Sequence, residues 1–275
     1  MSEVRIPSSE VRRVTSKHVE QTFEVSVGLP AGYDPQLSYP VLYLLDPALS
    51  FGTATECTRL LALGRELPKL IVVGIGYPDA NTPEVLALRS RDYTPTGGPE
   101  NANAIRAGVP GPIPEPQPGG AGNFLSFLRE ELFAEIDAAY ASDPEDRAFF
   151  GDSLGGLFGG YTLFHKPDTF RRYVLGSPSL WWDHEITFEY EEAYAAAHED
   201  LAARVFMSVG ALEEPGPSRE SELARMVSNV RRMSETLEGR RYPGLDLTTH
   251  YFEGETHLSV LPATLSRGIR EVFAS

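Results

Sequence analysis

The chain has 275 residues, of which 41% are hydrophobic, and this length supports one sizeable core without demanding a second. Lys and Arg total 24 against 39 Asp and Glu, so the formal net charge of −15 disfavours nucleic acids and anionic lipid surfaces as partners. The single cysteine, Cys57, excludes an internal disulfide and a thiolate zinc cluster.

The first third of the chain predicts strands arranged around one helix. Alternating apolar residues over 21–29 predict a half-exposed strand, paired with residues 11–16. The continuous apolar runs 39–45 and 70–75 are typical of strands that are buried on both faces of a parallel sheet. A helix over 53–66 between these two strands completes a βαβ unit, whose crossover should be right-handed.

Residues 79–122 interrupt this alternation. They are rich in Pro, Gly and Asn, and they predict a long loop excursion with little regular structure. Loops of this length inside a compact domain are usually functional or mobile, and a tolerated surface loop is the alternative interpretation.

The second half of the chain again alternates between strands and helices. Apolar spacing predicts a helix over 123–140, and a short strand at 148–150 is followed by a helix that ends near His165. Residues 176–203 indicate an inserted helical segment over the active-site end of the sheet. The remaining predictions are strands at 172–175, 204–209 and 245–252 and helices near 218–237 and 261–273. The whole pattern predicts one α/β domain over 1–275, with a mostly parallel sheet flanked by helices.

The segment Gly151–Gly155 matches the G-x-S-x-G pattern between a predicted strand and a predicted helix. A serine on such a turn has a strained backbone, and neighbouring side chains larger than Gly would collide there. The turn also brings a helix N-terminus to the charge that develops during acyl transfer. The bare pattern is weak, and a plain glycine turn is the alternative, but the strand and helix around it favour Ser153 as a nucleophile.

A serine hydroxyl needs a general base, and this fold places the base in a loop after the last strand. Among the six histidines, His257 has that position, just past the predicted strand 245–252. His250 lies within the strand and suits a structural role, whereas His165 and His198 suit surface positions.

The third member of a triad must orient the imidazole, and the expected chain order is Ser, acid, His. Glu213 and Glu214 both lie in the loop after 204–209, and we favour Glu213 because Glu214 precedes Pro215 and is restricted to extended conformations. Two solvated loop acids are the alternative, and Asp183 is a weaker candidate.

The oxyanion hole needs two backbone N–H donors. One should be Leu154, directly after the nucleophile, and the other should come from the loop after 39–45. Pro47 has no N–H, so Ala48 or Leu49 must supply the second donor, and Ala48 is our assignment.

Six segments together resemble one known family and keep its order over most of the chain. They are PVLYLLD (40–46), RSRDYTP (89–95), GGAGNFLSFLREELFAEI (119–136), GDSLGGLFGGYTLFHKPDTF (151–170), SPSLWW (177–182) and GETHLSV (254–260). These segments resemble the esterase family of α/β hydrolases, in particular its siderophore-esterase-like branch, which includes the enterobactin and bacillibactin trilactone esterases. The resemblance implies an α/β-hydrolase fold, with Ser153 as nucleophile, His257 as base and an acid near Glu213. Some relatives work with a Ser-His pair alone.

The resemblance also implies side chains at the substrate. It places Arg89 or Arg91 near the active site, and it places two tryptophans, Trp181 and Trp182, at its border. A salt-bridged structural turn is the alternative role for the two arginines.

Two departures from the family bear on the substrate. This chain has Pro47 where the family commonly has Gly, and Asp152 where the family often has His before the nucleophile. A carboxylate beside the reaction centre disfavours anionic substrates such as ferric catecholates, which would need a local basic patch. Arg89, Arg91 and Arg106 are the candidates for that patch.

The sequence therefore predicts a serine carboxylesterase that forms an acyl-enzyme on a small-molecule ester, without a cofactor or a metal ion. An acyltransferase with the same intermediate and a non-catalytic ligand-binding scaffold are the alternatives. Residues 1–5 lack the apolar run of a signal peptide, and no stretch approaches the roughly 18–20 apolar residues of a membrane span. We expect a cytoplasmic protein, and its oligomeric state stays open.

Overall fold

The computed structural model describes residues 5–78, 82–98, 114–115, 117–214 and 225–274. Eight strands in these ranges form one sheet in the order β1-β2-β4-β3-β5-β6-β7-β8. They are β1 (Ser9–Ser16), β2 (Gln21–Gly28), β3 (Tyr39–Leu45), β4 (Ile71–Gly76), β5 (Ser142–Asp152), β6 (Arg172–Gly176), β7 (Ala203–Gly210) and β8 (Leu245–Phe252). Strands β3 to β8 are parallel to one another, whereas β2 is antiparallel to both β1 and β4. The predicted α/β class is confirmed.

The helices cover both faces of this sheet. They are α1 (Pro47–Leu63), α2 (Thr82–Tyr93), α3 (Ala121–Phe127, the π-helical Leu128–Leu132 and Phe133–Ala139 in succession), α4 (Leu154–His165), α5 (Trp182–Ala197), α6 (Met226–Arg240) and α7 (Leu261–Phe273). Short 3₁₀ turns occupy Pro167–Thr169 and Ala211–Glu213.

Alternating side chains of each central strand feed two separate cores. Phe150 and Val174 contribute to the core that α1 and α7 cover. Phe149 and Tyr173 contribute to the larger core, on the opposite face, that α3, α4 and α6 cover. Because both faces are covered, the central strands are apolar throughout, and the C-terminal edge of the sheet is left for a site.

Part of the predicted 79–122 excursion is a regular helix, which is a correction to the expectation of an irregular loop. Residues Thr82–Tyr93 form α2, and Pro83 stands in its first turn, where the missing N–H of proline costs nothing. Residues 99–113, including Arg106, lie outside the described part of the chain.

The two ends of the remaining excursion are tied together at Thr94. The Gly119 N–H donates to Thr94 Oγ1 over 2.9 Å, and the Ala121 N–H donates to the Thr94 carbonyl over 3.1 Å. On the outgoing side, Trp182 Nε1 donates to Thr96 Oγ1 over 3.1 Å. These hydrogen bonds hold residues 94–96 next to residues 119–121, and we call this set of contacts the Thr94 clamp.

The segment predicted as a helical insertion at 176–203 contains α5, which connects β6 with β7 and packs against α4. Three consecutive residues at its start, Asp183, His184 and Glu185, have positive φ angles of 44°, 56° and 66°. This left-handed turn separates the buried Trp182 from the regular part of the helix. The location of this segment over the active-site end of the sheet stays a prediction.

Candidate active site

Ser153 lies on the sharp turn from β5 into α4. Its backbone has φ 58° and ψ −118°, a strained conformation for a residue with a side chain. The turn is held because the Ser153 N–H donates to the Gly176 carbonyl over 2.9 Å and the Ser179 N–H donates to the Ser153 carbonyl over 3.1 Å. The hydroxyl is thus held at the C-terminal edge of the sheet, and the side chain is partly exposed.

The glycines around Ser153 do not carry equal steric demands. A Cβ at Gly151 would lie 2.3 Å from the Gly155 carbonyl oxygen, and a Cβ at Gly156 would lie 2.8 Å from Pro178 Cα. A Cβ at Gly155 would lie 3.5 Å from the nearest atom, which is ordinary contact. The sequence motif predicts a steric need for both of its glycines, but the structure confines that need to Gly151 and adds Gly156.

This asymmetry predicts different outcomes for two alanine variants. We expect Gly151→Ala to destabilise the fold by about 3 kcal/mol, because backbone on both sides of the turn would have to move. Gly155→Ala should leave the thermal midpoint unchanged or raise it, because alanine favours a helix. Thermal unfolding of both variants checks this, and equal midpoints would contradict it.

His257 and Glu213 form a direct pair at the same edge of the sheet. His257 Nδ1 lies 2.7 Å from Glu213 Oε2, and the Glu213 side chain is only 3% exposed. The other oxygen of Glu213, Oε1, accepts hydrogen bonds from Ser177 Oγ (2.6 Å) and the Gly210 N–H (2.7 Å). Both oxygens of this carboxylate are therefore occupied, and its orientation is fixed.

These contacts act on the proton affinity of both partners. Burial opposes the charge on Glu213, but hydrogen bonds from His257, Ser177 and Gly210 prevail and lower the pKa of its carboxyl. Burial also opposes the charge on His257, but the hydrogen bond to Glu213 and the charge of Asp152 prevail and raise the pKa of the imidazole. These interactions thus favour the ionised form of Glu213 and the protonated form of His257.

The alternative acid, Glu214, has a different partner. Its Oε2 accepts a hydrogen bond from the Ser228 N–H over 2.9 Å, in the first turn of α6. Of the two loop acids, the structure brings Glu213 to His257. Ser177, which orients Glu213, was not predicted from the sequence; the signal for it is a serine two residues after the predicted strand 172–175.

A path of adjacent contacts joins the three predicted residues. The Gly176 carbonyl holds the Ser153 N–H, and the next residue, Ser177, holds Glu213, which holds His257. The described side chains of Ser153 and His257 do not hydrogen-bond to each other directly. Catalytic hydrogen bonds commonly tighten only in the substrate complex.

The amides of the two predicted oxyanion donors open two helices. Leu154 is the first residue of α4, so its N–H has no acceptor within the helix. In the first turn of α1, the Leu49 and Ser50 amides both donate to the Asp46 carbonyl, and Pro47 has no amide hydrogen. In this turn, Ala48 is the residue with an N–H left for another acceptor.

The Pro47 departure from the family is matched by glycines on the neighbouring strand. A Cβ at Gly74 would lie 2.8 Å from Pro47 Cβ, and a Cβ at Gly76 would lie 2.7 Å from Pro47 Cγ. The two strand glycines therefore make the room that the pyrrolidine ring occupies. The loop after β3 is thus well packed despite the substitution.

Both predicted arginines are engaged by carboxylates. Arg89 donates to both oxygens of Asp46 over 2.6 and 2.9 Å, and both side chains are mostly buried. Arg91 donates to both oxygens of the buried Asp92 over 2.7 and 2.9 Å. These ion pairs agree with the alternative interpretation from the sequence, in which the two arginines have a structural, salt-bridged role. Neither guanidinium forms an unneutralised basic patch.

The two predicted tryptophans have different environments. Trp182 is fully buried in the larger core, so it cannot contact a substrate that enters from solvent in this conformation. Its indole N–H is used by the Thr94 clamp. Trp181 is only partly buried and stays a candidate for substrate contact.

A cavity of about 430 Å³ adjoins the Ala48 amide and the Arg89–Asp46 pair. Its walls come from β2, the start of α1, the end of β4 and α2. The lining residues are Glu24, Ser26, Asp46, Pro47, Ala48, Leu49, Gly76, Tyr77, Val85, Leu86, Arg89 and Tyr93. Its size and mixed lining suit a small organic molecule, although neither Ser153 nor His257 is among the lining residues. No sequence pattern predicted the contributions of β2 and β4.

The described ranges of the chain contain no group of three or more His, Cys, Asp or Glu side chains placed to hold a metal ion. Nor does any helix within them have the length and apolar character needed to span a membrane.

Comparisons with known proteins identify relatives that cover most of the chain. Residues 16–267 match the family described as "Putative esterase". The chain is 34% identical over 269 residues to "Ferri-bacillibactin esterase BesA" of Bacillus subtilis, covering 96% of this chain and 89% of the relative. It is 28% identical over 252 residues to "Siderophore triacetylfusarinine C esterase" of Aspergillus fumigatus, covering 85% and 81%.

Solved structures extend the likeness to the fold. The crystal structure of the BES protein from Bacillus cereus has a TM-score of 0.82 and 29% identity, with 100% of this chain and 99% of that chain covered. The α/β-hydrolase-like fold and the resemblance drawn from the sequence are both confirmed. The chain belongs to this esterase family, and ester hydrolysis is its activity.

Proposed function

We propose that the protein is a serine carboxylesterase in which Ser153, His257 and Glu213 act as a catalytic triad. The observation that carries this proposal is the 2.7 Å contact between His257 Nδ1 and the buried, fully hydrogen-bonded Glu213, at the sheet edge where Ser153 takes its strained turn. The fixed carboxylate selects the tautomer that leaves His257 Nε2 free to accept a proton.

The reaction then follows two acyl-transfer steps. Ser153 Oγ attacks the ester carbonyl carbon while His257 takes the hydroxyl proton. The tetrahedral intermediate collapses, and His257 returns that proton to the leaving alcohol. Water attacks the acyl-enzyme, again through His257, and releases the carboxylic acid and free Ser153.

The Leu154 and Ala48 amides hold the oxyanion in both steps. This assignment is supported by the starts of α4 and α1, where neither the Leu154 N–H nor the Ala48 N–H has an acceptor within its helix. We assign Arg89 to the electrostatics of the site, because it faces the same cluster of charges as His257. Trp181 is a candidate for contact with the substrate.

For the substrate, we propose a siderophore-type lactone or a related small ester. The names of the relatives support this class, since they are called siderophore or ferri-bacillibactin esterases. Hydrolysis of a triscatecholate trilactone, with and without iron, is compared with that of p-nitrophenyl esters of increasing chain length. A specificity constant for every lactone below that for p-nitrophenyl acetate would reject the siderophore assignment but not the esterase.

The triad acid is tested by a matched pair of variants. Glu213→Gln should lower kcat by on the order of 10³–10⁴-fold, because the amide removes the charge that stabilises the imidazolium. Glu214→Gln, which makes the same change one residue away, should stay near the wild-type rate, because its partner is Ser228. Steady-state hydrolysis of p-nitrophenyl butyrate measures both, and an equal loss in the two variants would remove Glu213 from the triad.

A further inference from the structure

Asp152, directly before the nucleophile, is partly exposed, but one of its carboxylate oxygens is enclosed and the triad leaves this carboxylate without a role. It lies two residues after Phe150 on β5, so its side chain projects to the sheet face that α1 and α7 cover. His257 lies in the loop that leads into α7. The carboxylate therefore projects toward the side of the sheet from which the base approaches.

The fold leaves space for this carboxylate but gives one of its oxygens no partner. A Cβ at Gly176, the residue paired with Asp152 on β6, would lie 2.5 Å from Asp152 Oδ1. Oδ1 is fully enclosed and accepts no hydrogen bond from the residues that the structure describes. A buried oxygen without a donor is costly, so its retention beside a nucleophile indicates a function.

Four ionisable groups on different elements act on Asp152 through their charges. They are His257 from the loop before α7, Glu213 after β7, Asp46 after β3 and Arg89 on α2. Arg89 is already paired with Asp46, and Glu213 is already paired with His257. Among these four, the imidazole of His257 is the group whose charge changes during the proposed reaction.

We propose that Asp152 is a second acidic partner of His257, which stabilises the imidazolium formed during acyl transfer and so sets the pH range of catalysis. This inference rests on the proposed roles of Ser153 and His257. Asp152 is a positioning residue in this scheme: it exchanges no proton with the substrate and acts only through the charge of His257.

The protonation behaviour of the two groups agrees with this role. Burial raises the pKa of Asp152 from its ordinary 3.8 to about 7, although the charge of His257 opposes that rise. The charge of Asp152 in turn helps to raise the pKa of His257. The two groups are thus coupled, because each favours the charged form of the other.

The test is the pH dependence of kcat/KM in Asp152→Asn, which keeps the shape and removes the charge. Catalysis needs neutral His257, so activity falls as pH drops through the pKa of the imidazole. Without the carboxylate, His257 holds its proton less tightly, and the acid limb should move down by about one pH unit. We also expect the maximal kcat to fall about tenfold, as the imidazolium is less stabilised.

A second readout separates this inference from the proposed function. The rate of inactivation by a fluorophosphonate, which reacts with the activated serine, is followed against pH in wild type, Asp152→Asn and Glu253→Gln. Glu253 is an exposed acid four residues before His257, so its variant controls for the loss of one negative charge and should keep the wild-type midpoint.

Each outcome decides one of the two proposals. A lower midpoint in Asp152→Asn alone supports the role of Asp152. An unchanged or higher midpoint overturns that role and leaves the esterase mechanism intact, whereas failure to label Ser153 in wild type overturns the mechanism itself. If Asp152→Asn does not fold, NMR titration of the Asp152 carboxyl carbon in wild type and in His257→Gln decides. Loss of the imidazolium should raise the pKa of Asp152, and equal midpoints in the two proteins overturn the proposal.

Discussion

Replacing Ser153 with Ala should reduce ester hydrolysis by on the order of 10⁶-fold in kcat, to the limit of detection. The variant should keep the sharp turn from β5 into α4, because both hydrogen bonds that hold this turn involve the backbone of residue 153. It should therefore fold and bind substrate while lacking the only atom that the mechanism places on the acyl carbon. Hydrolysis of p-nitrophenyl butyrate and of a trilactone, together with thermal unfolding, measures both halves of this expectation.

A matched serine variant controls for the loss of a hydroxyl as such. Ser234 on α6 bonds through Oγ to Thr249 Oγ1 over 2.7 Å and has no role in the proposed site. Ser234→Ala should keep wild-type kcat even if its stability falls. If Ser153→Ala keeps more than about a hundredth of the wild-type turnover, Ser153 is not the nucleophile.

Replacing His257 with Gln should cost nearly as much as losing the serine, again on the order of 10⁶-fold. Glutamine cannot take the Ser153 proton, and it removes the positive charge that Glu213 stabilises. Because the two residues act as one unit, the double variant should be no slower than either single variant. Steady-state rates for the two single variants and the double variant measure this coupling.

His250 offers the control for the imidazole. It lies on β8, and its ring packs edge-on against Phe252 at 4.4 Å between centroids. His250→Gln should retain wild-type kcat and the wild-type pH profile. Additive losses in the Ser153 and His257 double variant would show that the two side chains act independently, against the triad.

Strands were the part of the fold that the sequence specified best. The runs at Tyr39–Leu45 and Leu245–Phe252 were predicted with their observed bounds, as was α7 at Leu261–Phe273. Long apolar runs and a strong helical spacing leave few alternative interpretations. By contrast, β5 begins at Ser142, six residues before its prediction, because its first half is polar and pairs at the edge of the apolar core.

Helix starts were harder to predict when they lay next to proline. Pro47 and Pro83 both stand in the first turn of a helix, and both were assigned to loops. Proline at that position loses no hydrogen bond, so its presence alone does not distinguish a loop from a helix start. The prediction of an irregular 79–122 was wrong over α2 for this reason.

In the candidate site, chain order led to Ser153, His257 and Glu213, which the structure brings to one edge of the sheet. Contacts across the fold were beyond the sequence, because they depend on packing between distant elements. The burial of Trp182 and the Ser177 contact to Glu213 are of this kind. The pairing of Arg89 with Asp46 is another such contact, because no local sequence pattern predicts it.

The Thr94 clamp has a consequence for the cavity. Because Thr94 accepts bonds from both Gly119 and Ala121, the end of α2 and the start of α3 are tied to each other. Since α2 forms one wall of the cavity, a substitution that breaks the clamp should loosen that wall from a position far away in the sequence.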